Sequence, residues 1–365
     1  MTKDRVVFFA NGDFAIDTFE TLVNNGSNIV GLVTSANDQV RFHKKTIRQV
    51  ADESRVPYYT IKGNEFEKDV FFIDWLKRMD ADIFCVISFK KLPNEIIKLA
   101  KKCAFNVHAS LLPFLRGAAP INWAIRLGYK ETGLTAFVLS DKIDQGDIIA
   151  NTRVKIAAKE KYTTLYKKLS DACVDFTDHV IEDVLQHDDW KDCLIAQPSW
   201  NHEYEYIINA HKVNSDYFRC YWSHFTCERM QNLVNSVDNV GLPCIIYVID
   251  EDNKEKKFEA KIYDVEVVNK EKTPMNMQTL YCESDGKTFV RLNLADYEKC
   301  VYIKKIQLVG KKIMNIEDFL NGFRYFRENK TVIITDLMEA DDEQTVYDED
   351  KLSEINDSSI KIENE

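Results

Sequence analysis

The sequence predicts an α/β protein with a mainly parallel sheet and flanking helices, followed by a smaller domain of antiparallel strands. In the first 150 residues, continuous apolar runs such as RVVFFA and ADIFCVIS alternate with amphipathic helical segments. That pattern is typical of parallel strands buried on both faces. Beyond about residue 222, short strands of alternating polarity are separated by turn residues. We therefore expect an N-terminal Rossmann-like domain and a small C-terminal OB-like β-barrel.

The first domain alternates strands and helices along the chain. Its predicted strands are RVVFFA, NIVGLVTS, VPYYTI, ADIFCVIS, CAFNVHAS, TGLTAFVL and IIANTRVKI. Its helices, predicted from apolar periodicity, are FAIDTFETLVNN, IRQVADESR, FEKDVFFIDWLKRM, PNEIIKLAKK and TTLYKKLSDACVDFTDHVIEDVLQ. Ligands of such sheets bind beyond the carboxyl ends of the strands. The loop NGD after the first strand has one glycine, so the sequence poorly supports a dinucleotide site.

The second domain follows a polar, tryptophan-containing connector. A helix, SHFTCERMQNLVNSV, precedes the strands LPCIIYVID, KKFEAKIYDVEVV, QTLYCES, TFVRLNLA and YIKKIQLVG, and IEDFLNGFRYF closes the domain as a helix. Asp285–Gly286 is a hairpin signal between two of these strands. The predicted organisation is a first domain over 1–187, a linker over 188–221, the OB-like domain over 222–335 and an acidic tail over 336–365.

The charge of the chain lies mainly in its last segment. The formal net charge is −11, from 59 acidic and 48 basic residues. Residues 336–365 hold twelve acidic residues and two lysines, so the rest has 47 acidic and 46 basic residues and is nearly neutral. We expect this tail to be disordered and solvated, or else to compete with an anionic partner for binding.

The composition also narrows the class of protein. Nine cysteines are scattered without a CxxC pair, which favours reduced thiols in the cytoplasm over a disulfide framework or a metal site. The apolar runs are shorter than the roughly 18 to 20 residues that span a bilayer, so we expect no membrane association.

Candidate catalytic side chains lie in the stretch FNVHASLLPFLRGAAPINWAI. Asn106 and His108 are two residues apart, so on a strand end their side chains share a face. The loop DKIDQGDII downstream could bring Asp144 to the imidazole. An amide to stabilise an oxyanion, an imidazole to move protons and a carboxylate to orient it are the minimum parts for acyl transfer to an amine.

Five segments carry a resemblance to a known family. They are NGDFAIDTF, NVHASLLPFLRGAAPINWAI, ETGLTAFVLSDKIDQGDII, MQNLVNSVDNVGLP and VGKKIMNIEDFLNGFR. With them, the chain resembles the formyltransferases that use 10-formyltetrahydrofolate, and among these most closely the methionyl-tRNA formyltransferases. The resemblance covers roughly residues 5–328 and is most specific over 105–147. It implies transfer of a formyl group to the free amino group of initiator methionyl-tRNA, without a metal and by a protein that is expected to be a monomer.

The resemblance also implies roles for individual residues. Asn106 would hold the formyl oxygen, His108 would move the proton, and Asp144 would fix the orientation and tautomer of the imidazole. Residues implied to contact the folate donor are Ser110, Leu111, Leu112, Pro113, Phe89, Leu92 and Ile143. For Phe89 and Leu92, packing in the core is an equally good interpretation.

The acceptor is less well determined, because the chain departs from the family where the acceptor binds. The loop SANDQVRFHKKTIRQVA lacks the Pro-Ala-Gly-Arg-Gly core of the tRNA enzymes, although basic side chains remain as candidate phosphate contacts. Residues 205–330 hold nineteen basic and nineteen acidic residues, whereas a tRNA-binding domain usually shows a basic footprint. The candidate tRNA contacts in the loop are Arg41, Lys44, Lys45 and Arg48.

Two alternatives therefore stand beside the tRNA interpretation. A sugar-nucleotide N-formyltransferase would keep Asn106, His108 and Asp144 and would accept an amino sugar on a nucleoside diphosphate. A non-catalytic folate- or RNA-binding protein is a third hypothesis, although the intact Asn-His-Asp set argues against it.

Overall fold

A computed structural model of the chain describes residues 4–36, 40, 42–63, 68–197, 209–218, 222–269, 282–294, 296, 298–328 and 330–337. The chain forms two compact units. Unit 1 comprises residues 1–120, 131–155 and 165–210, and unit 2 comprises residues 121–130, 156–164 and 211–365. Several predicted features lie outside the described residues. They are Arg41, residues 198–208 and 219–221 of the predicted linker, and the tail beyond residue 337.

Unit 1 is built on a seven-stranded sheet in the order β3-β2-β1-β4-β5-β7-β8. The first five of its strands in chain order run parallel, and β7 and β8 pair in antiparallel fashion at one edge, which confirms the mainly parallel sheet. Its strands are β1 (Val6–Ala10), β2 (Ile29–Ser35), β3 (Tyr58–Ile61), β4 (Ile83–Ile87), β5 (Cys103–His108), β7 (Glu131–Val138) and β8 (Ile148–Lys155). A separate two-residue parallel pair joins β6 (Arg116–Gly117) to β9 (Asn209–Ala210).

The centre of this sheet is apolar throughout. Every residue of β1 and of β4 is buried, as expected of strands covered on both faces. On one face, Phe9 and Phe84 pack with Phe72 and Leu76 of a neighbouring helix in a single cluster. The burial of these large side chains fixes the strands, and with them the positions of the loops at the strand ends.

The helices of the N-terminal half include the five predicted ones in the predicted order, and one more at Pro120–Arg126 that is not predicted from the sequence. They are α1 (Ile16–Asn24), α2 (Ile47–Glu53), α3 (Val70–Met79), α4 (Asn94–Ile97), α5 (Pro120–Arg126) and α6 (Tyr162–Glu182). Asp69 caps α3 by accepting the amide of Phe72, so this helix begins later than FEKDVFFIDWLKRM suggests. α4 is a single turn, and shortly after it the amides of Lys101 and Lys102 donate to the carbonyls of Ala81 and Asp82, just before β4.

Unit 2 is built on a curled antiparallel sheet in the order β12-β13-β14-β11-β10-β16, with β15 paired to β14. Its strands are β10 (Leu242–Ile249), β11 (Glu255–Asn269), β12 (Glu283–Ser284), β13 (Val290–Leu292), β14 (Lys299–Leu308), β15 (Met314–Asn315) and β16 (Thr331–Thr335), with helices α7 (Cys227–Ser236) and α8 (Ile316–Gly322). The two ends of the sheet approach each other, since the Cys282 thiol donates to the Val332 carbonyl over 3.2 Å. The sheet therefore curls toward a barrel, in agreement with the OB-like prediction.

Local turn chemistry sets the hairpin between β12 and β13. Gly286 has a φ of 72°, and the Asp285 carboxylate accepts the amides of Lys287 and Thr288. The Thr288 hydroxyl also donates to this carboxylate, and its hydrogen bond, together with those of the two amides, holds the pKa of Asp285 well below its usual range. The Asp-Gly pair therefore forms the predicted turn.

Candidate active site

β5 carries Asn106 and His108 to one end of the unit 1 sheet. The strand pairs in parallel with β4 and in antiparallel fashion with β7, so Asn106 lies opposite Phe137 and His108 lies opposite Thr135. Being two residues apart on a strand, the amide and the imidazole point to the same side. His108 is buried and Asn106 is half-buried.

The imidazole of His108 is held by a backbone carbonyl. Its Nε2 lies 2.9 Å from the oxygen of Leu115, and its Nδ1 lies 3.9 Å from Oδ2 of Asp144. A carbonyl oxygen can only accept, so Nε2 carries the hydrogen in this bond. The neutral ring then has its lone pair on Nδ1, facing the carboxylate. Leu115 has a φ of 58°, in the left-handed region of backbone conformation, which no sequence pattern predicts for a leucine.

The carboxylate of Asp144 is placed by its own loop and by the glycine of the GAAPI run. Oδ2 accepts the amide of Gly117 over 2.8 Å. Asp144 has a φ of 52°, in the left-handed region where Asp is tolerated better than most residues. Gly117 has a φ of 115°, so glycine suits this donor position.

The SLLP segment is tied to the neighbouring strand by one hydroxyl. Thr135 Oγ1 donates to the Ser110 carbonyl over 2.7 Å and accepts the Leu112 amide over 3.0 Å, in a fully buried position. Ser110 itself donates to the Phe114 carbonyl. Thr135 was not a predicted site residue; as one threonine within a buried strand it carried no distinguishing signal.

The other residues implied to contact the donor have different surroundings. Leu112 and Pro113 are buried and Leu111 is half-buried. Leu92 is 2% exposed inside the core cluster of the sheet, and Phe89 packs against that cluster with its ring 5.6 Å from that of Phe9. Ile143, in contrast, is 58% exposed on the loop before Asp144. Leu92 therefore packs in the core, and its contact with the folate donor stays a prediction.

The basic loop after β2 is anchored by the NGDFA segment. Asp13 is buried, and its carboxylate accepts the amides of Phe42 and His43 over 3.2 Å each. Thr46 and Gln49 form a capping box that starts α2. Of the candidate tRNA contacts, Lys44 is exposed, Lys45 pairs with Glu53 over 2.6 Å, Arg48 is half-buried, and Arg41 lies outside the described residues.

Candidate metal sites and membrane-spanning helices are both absent from the described part of the chain. Among these residues, no group of three or more His, Cys, Asp or Glu side chains is arranged to hold a metal ion. Nor does any helix there have the length and apolar character needed to cross a membrane.

Known proteins are similar to this chain in sequence and in fold. A family model described as Formyl transferase matches residues 4–180. The methionyl-tRNA formyltransferase of Parabacteroides distasonis is 30% identical over 332 residues, which cover 89% of this chain and 97% of that protein. The methionyl-tRNA formyltransferase of Azobacteroides pseudotrichonymphae is 30% identical over 338 residues, with the same coverage of 89% and 97%.

Solved structures at lower identity show the same fold. WlaRD, a sugar 3N-formyl transferase crystallised with dTdp and 5-N-formyl-THF, gives a TM-score of 0.56 at 14% identity, over 86% of this chain and 100% of its own. HypX from Aquifex aeolicus in complex with tetrahydrofolic acid gives a TM-score of 0.52 at 14% identity. That match covers 88% of this chain and 48% of the HypX chain. The bacterial relatives match along nearly their whole length, and the chain therefore belongs to the methionyl-tRNA formyltransferase family.

Proposed function

We propose that this protein transfers the formyl group of 10-formyltetrahydrofolate to the free amino group of initiator methionyl-tRNA. The observation that carries the proposal is the nearly full-length match to methionyl-tRNA formyltransferases in a chain that places Asn106, His108 and Asp144 at one sheet end. The proposal includes a monomeric protein acting in the cytoplasm, where translation would supply its acceptor.

The first step is attack of the uncharged amine on the formyl carbon. A carbon–nitrogen bond forms while the carbonyl electron pair moves onto oxygen. The side-chain amide of Asn106 is half-buried on this face of β5 and can donate a hydrogen bond to that oxyanion. A preorganised donor of this kind stabilises the tetrahedral intermediate more than the ground state.

The second step expels the folate nitrogen and needs one proton to move. The amine loses a proton and the folate nitrogen gains one, so the transfer involves no oxidant or reductant. Because Nε2 of His108 donates to Leu115, the proton is held at Nδ1. The imidazolium formed there faces Asp144, whose Oδ2 is fixed by the Gly117 amide. The negative charge of the Asp144 carboxylate thereby stabilises the positive charge of the imidazolium.

The remaining contacts in the proposal concern the two substrates. We place the donor against the SLLP segment, with Ser110, Leu111, Leu112 and Pro113, and with Phe89, Leu92 and Ile143 nearby. We place tRNA phosphates against the basic side chains of the loop after β2, namely Arg41, Lys44, Lys45 and Arg48. Phosphate contacts of this kind make binding depend on salt concentration.

An acceptor screen tests the function. The purified protein is incubated with 10-formyltetrahydrofolate and either initiator methionyl-tRNA, uncharged initiator tRNA as the matched control, or a panel of nucleotide-linked amino sugars. We expect formyl transfer to methionyl-tRNA, with binding that weakens steeply between low and physiological salt. Transfer to an amino sugar but not to methionyl-tRNA would replace this proposal by the sugar alternative. Donor binding without transfer to any acceptor would support a non-catalytic folate protein.

A further inference from the structure

One glutamine side chain, at position 197, connects both segments that place the Asp144 carboxylate. Its Nε2 donates to the carbonyl of Asp144 over 3.1 Å and to the carbonyl of Gly146 over 2.7 Å. Its Oε1 accepts Nε of Arg116 over 3.1 Å and Nη2 over 2.5 Å. Gln197 thus hydrogen-bonds the Asp144 loop on one side, and on the other the residue just before Gly117.

A strand-like backbone contact two residues earlier in the chain positions the Gln197 side chain. Ile195 exchanges two hydrogen bonds with Ile148 at the start of β8, of 2.8 and 2.9 Å. Residues two apart on an extended chain share a face, so the bridge at Ile195 sets the direction of Gln197. The β6–β9 pair then joins Gly117 to Ala210 further along the same connector.

Arg116 gives the arrangement an electrostatic component. Arg116 is 8% exposed, and within the described part of the chain its guanidinium donates to the neutral oxygen of Gln197 and not to a carboxylate. Burial lowers the pKa of Arg116, and the charge of Asp144 opposes that shift. A neutral acceptor satisfies the buried cation without neutralising it, so its positive charge still acts on the nearby Asp144 carboxylate.

We propose that Gln197 is a positioning residue for formyl transfer, which holds the Asp144 loop against the Arg116–Gly117 segment so that the carboxylate faces His108. The inference rests on the proposed function. Gln197 touches no reacting atom in this account; it acts through Asp144. A displacement of about 1 Å in such a group can cost about 100-fold in rate. We therefore expect the loss of Gln197 to lower kcat and to leave substrate binding largely unchanged.

Two variants separate positioning from simple structural support. Gln197→Glu keeps an acceptor for Arg116 but loses both N–H donors and sets a carboxylate against the carbonyls of Asp144 and Gly146. Gln197→Met loses both sets of hydrogen bonds. Gln186→Met is the matched control, because Gln186 also donates to a backbone carbonyl in unit 1, that of Ile181, but touches neither Asp144 nor its loop.

Steady-state kinetics give the first test. We expect kcat to fall about 10- to 100-fold in both Gln197 variants while KM for the donor and for methionyl-tRNA changes less than about threefold. The Gln186→Met control should keep the wild-type kcat. If Gln197 served only to satisfy Arg116, Gln197→Glu would restore turnover and Gln197→Met alone would lose it; that result, or wild-type kcat in both variants, would overturn the inference.

Amide hydrogen exchange gives a second test that does not depend on the acceptor. The Gly117 amide donates to Asp144 Oδ2 and the Val138 amide donates to the Asp147 carbonyl, so these two amides report on how the loop is held. We expect both to exchange faster in the Gln197 variants than in the control. Unchanged exchange there would contradict the inference. A wild-type protein that did not formylate methionyl-tRNA would instead refute the proposed function, and exchange would still decide the role of Gln197.

Discussion

Gly146 lies in the tightest part of the loop that presents Asp144. A Cβ atom built at this position would lie 1.7 Å from the backbone oxygen of Val138. Real Cβ atoms essentially never come within 3.0 Å of another heavy atom, and here the obstacle is backbone that cannot rotate away. In Gly146→Ala, the loop or the end of β7 must therefore move until the separation rises from 1.7 Å to at least 3.0 Å.

That movement should affect catalysis and stability together. Asp144 is two residues away, and a shift of about 1 Å in a catalytic group can cost about 100-fold in rate, equivalent to about 2.7 kcal/mol in activation free energy. Overpacking itself typically costs about 1 to 3 kcal/mol of the free energy of unfolding. We expect Gly146→Ala to lose about 100-fold in kcat and about 1 to 3 kcal/mol of stability.

Initial rates of methionyl-tRNA formylation and denaturant unfolding measure the two effects. Gly322→Ala is the matched control, because a Cβ at Gly322 meets no heavy atom within 4 Å. The control should keep the wild-type kcat. A Gly146→Ala protein that turned over at the wild-type rate would show that the close approach does not hold Asp144 in its working position.

Three further changes test separate parts of the account. Asn106→Ala should lower kcat about 100- to 1000-fold without changing the unfolding midpoint, since it removes an oxyanion donor; a small effect on single-turnover rate would refute that role. Arg126→Met should destabilise the protein by about 2 kcal/mol in denaturant unfolding, because the guanidinium lies 4.9 Å from the Trp123 ring centroid and 4.6 Å from that of Tyr217; wild-type stability would contradict it. Deleting residues 338–365 should leave kcat unchanged, and a lost activity would show that the tail is needed.

The deletion starts at residue 338 and not at residue 336, because Asp336 belongs to the folded part of the chain. Composition alone set the boundary at Asp336, the first acidic residue after β16. In the structure Asp336 is 8% exposed and its carboxylate accepts the Trp222 amide over 2.9 Å. Charge counting cannot distinguish an acid that caps a backbone amide from one that is solvated, because the difference depends on a residue more than one hundred positions away.

The features predicted correctly depend on short-range physics. Period-two alternation put Asn106 and His108 on one face of β5, and the apolar runs marked the buried strands β1 and β4. The Asp285–Gly286 turn follows from the φ that glycine accepts and from the side chain of aspartate. Each of these can be evaluated within a few residues of the sequence.

The features that were missed depend on contacts distant in sequence or on backbone geometry. Gln197 lies in a polar connector and reaches Asp144 only because Ile195 pairs with Ile148. The partner of the His108 ring is a carbonyl, that of Leu115, and every residue type has one. Oδ2 of Asp144 lies 3.9 Å from Nδ1, so the role of Asp144 in orienting the ring stays a prediction, whereas the Leu115 oxygen is within hydrogen-bond distance of Nε2.

The most direct test of the central claim is the single-turnover rate of formyl transfer from 10-formyltetrahydrofolate to initiator methionyl-tRNA, measured for wild type and His108→Ala at equal protein concentration. We expect rapid formation of N-formylmethionyl-tRNA by wild type. We expect a rate at least about 100-fold lower for His108→Ala, because the variant has no group to hold the proton. Comparable rates for the two proteins, with thermal unfolding showing both to be folded, would contradict the account.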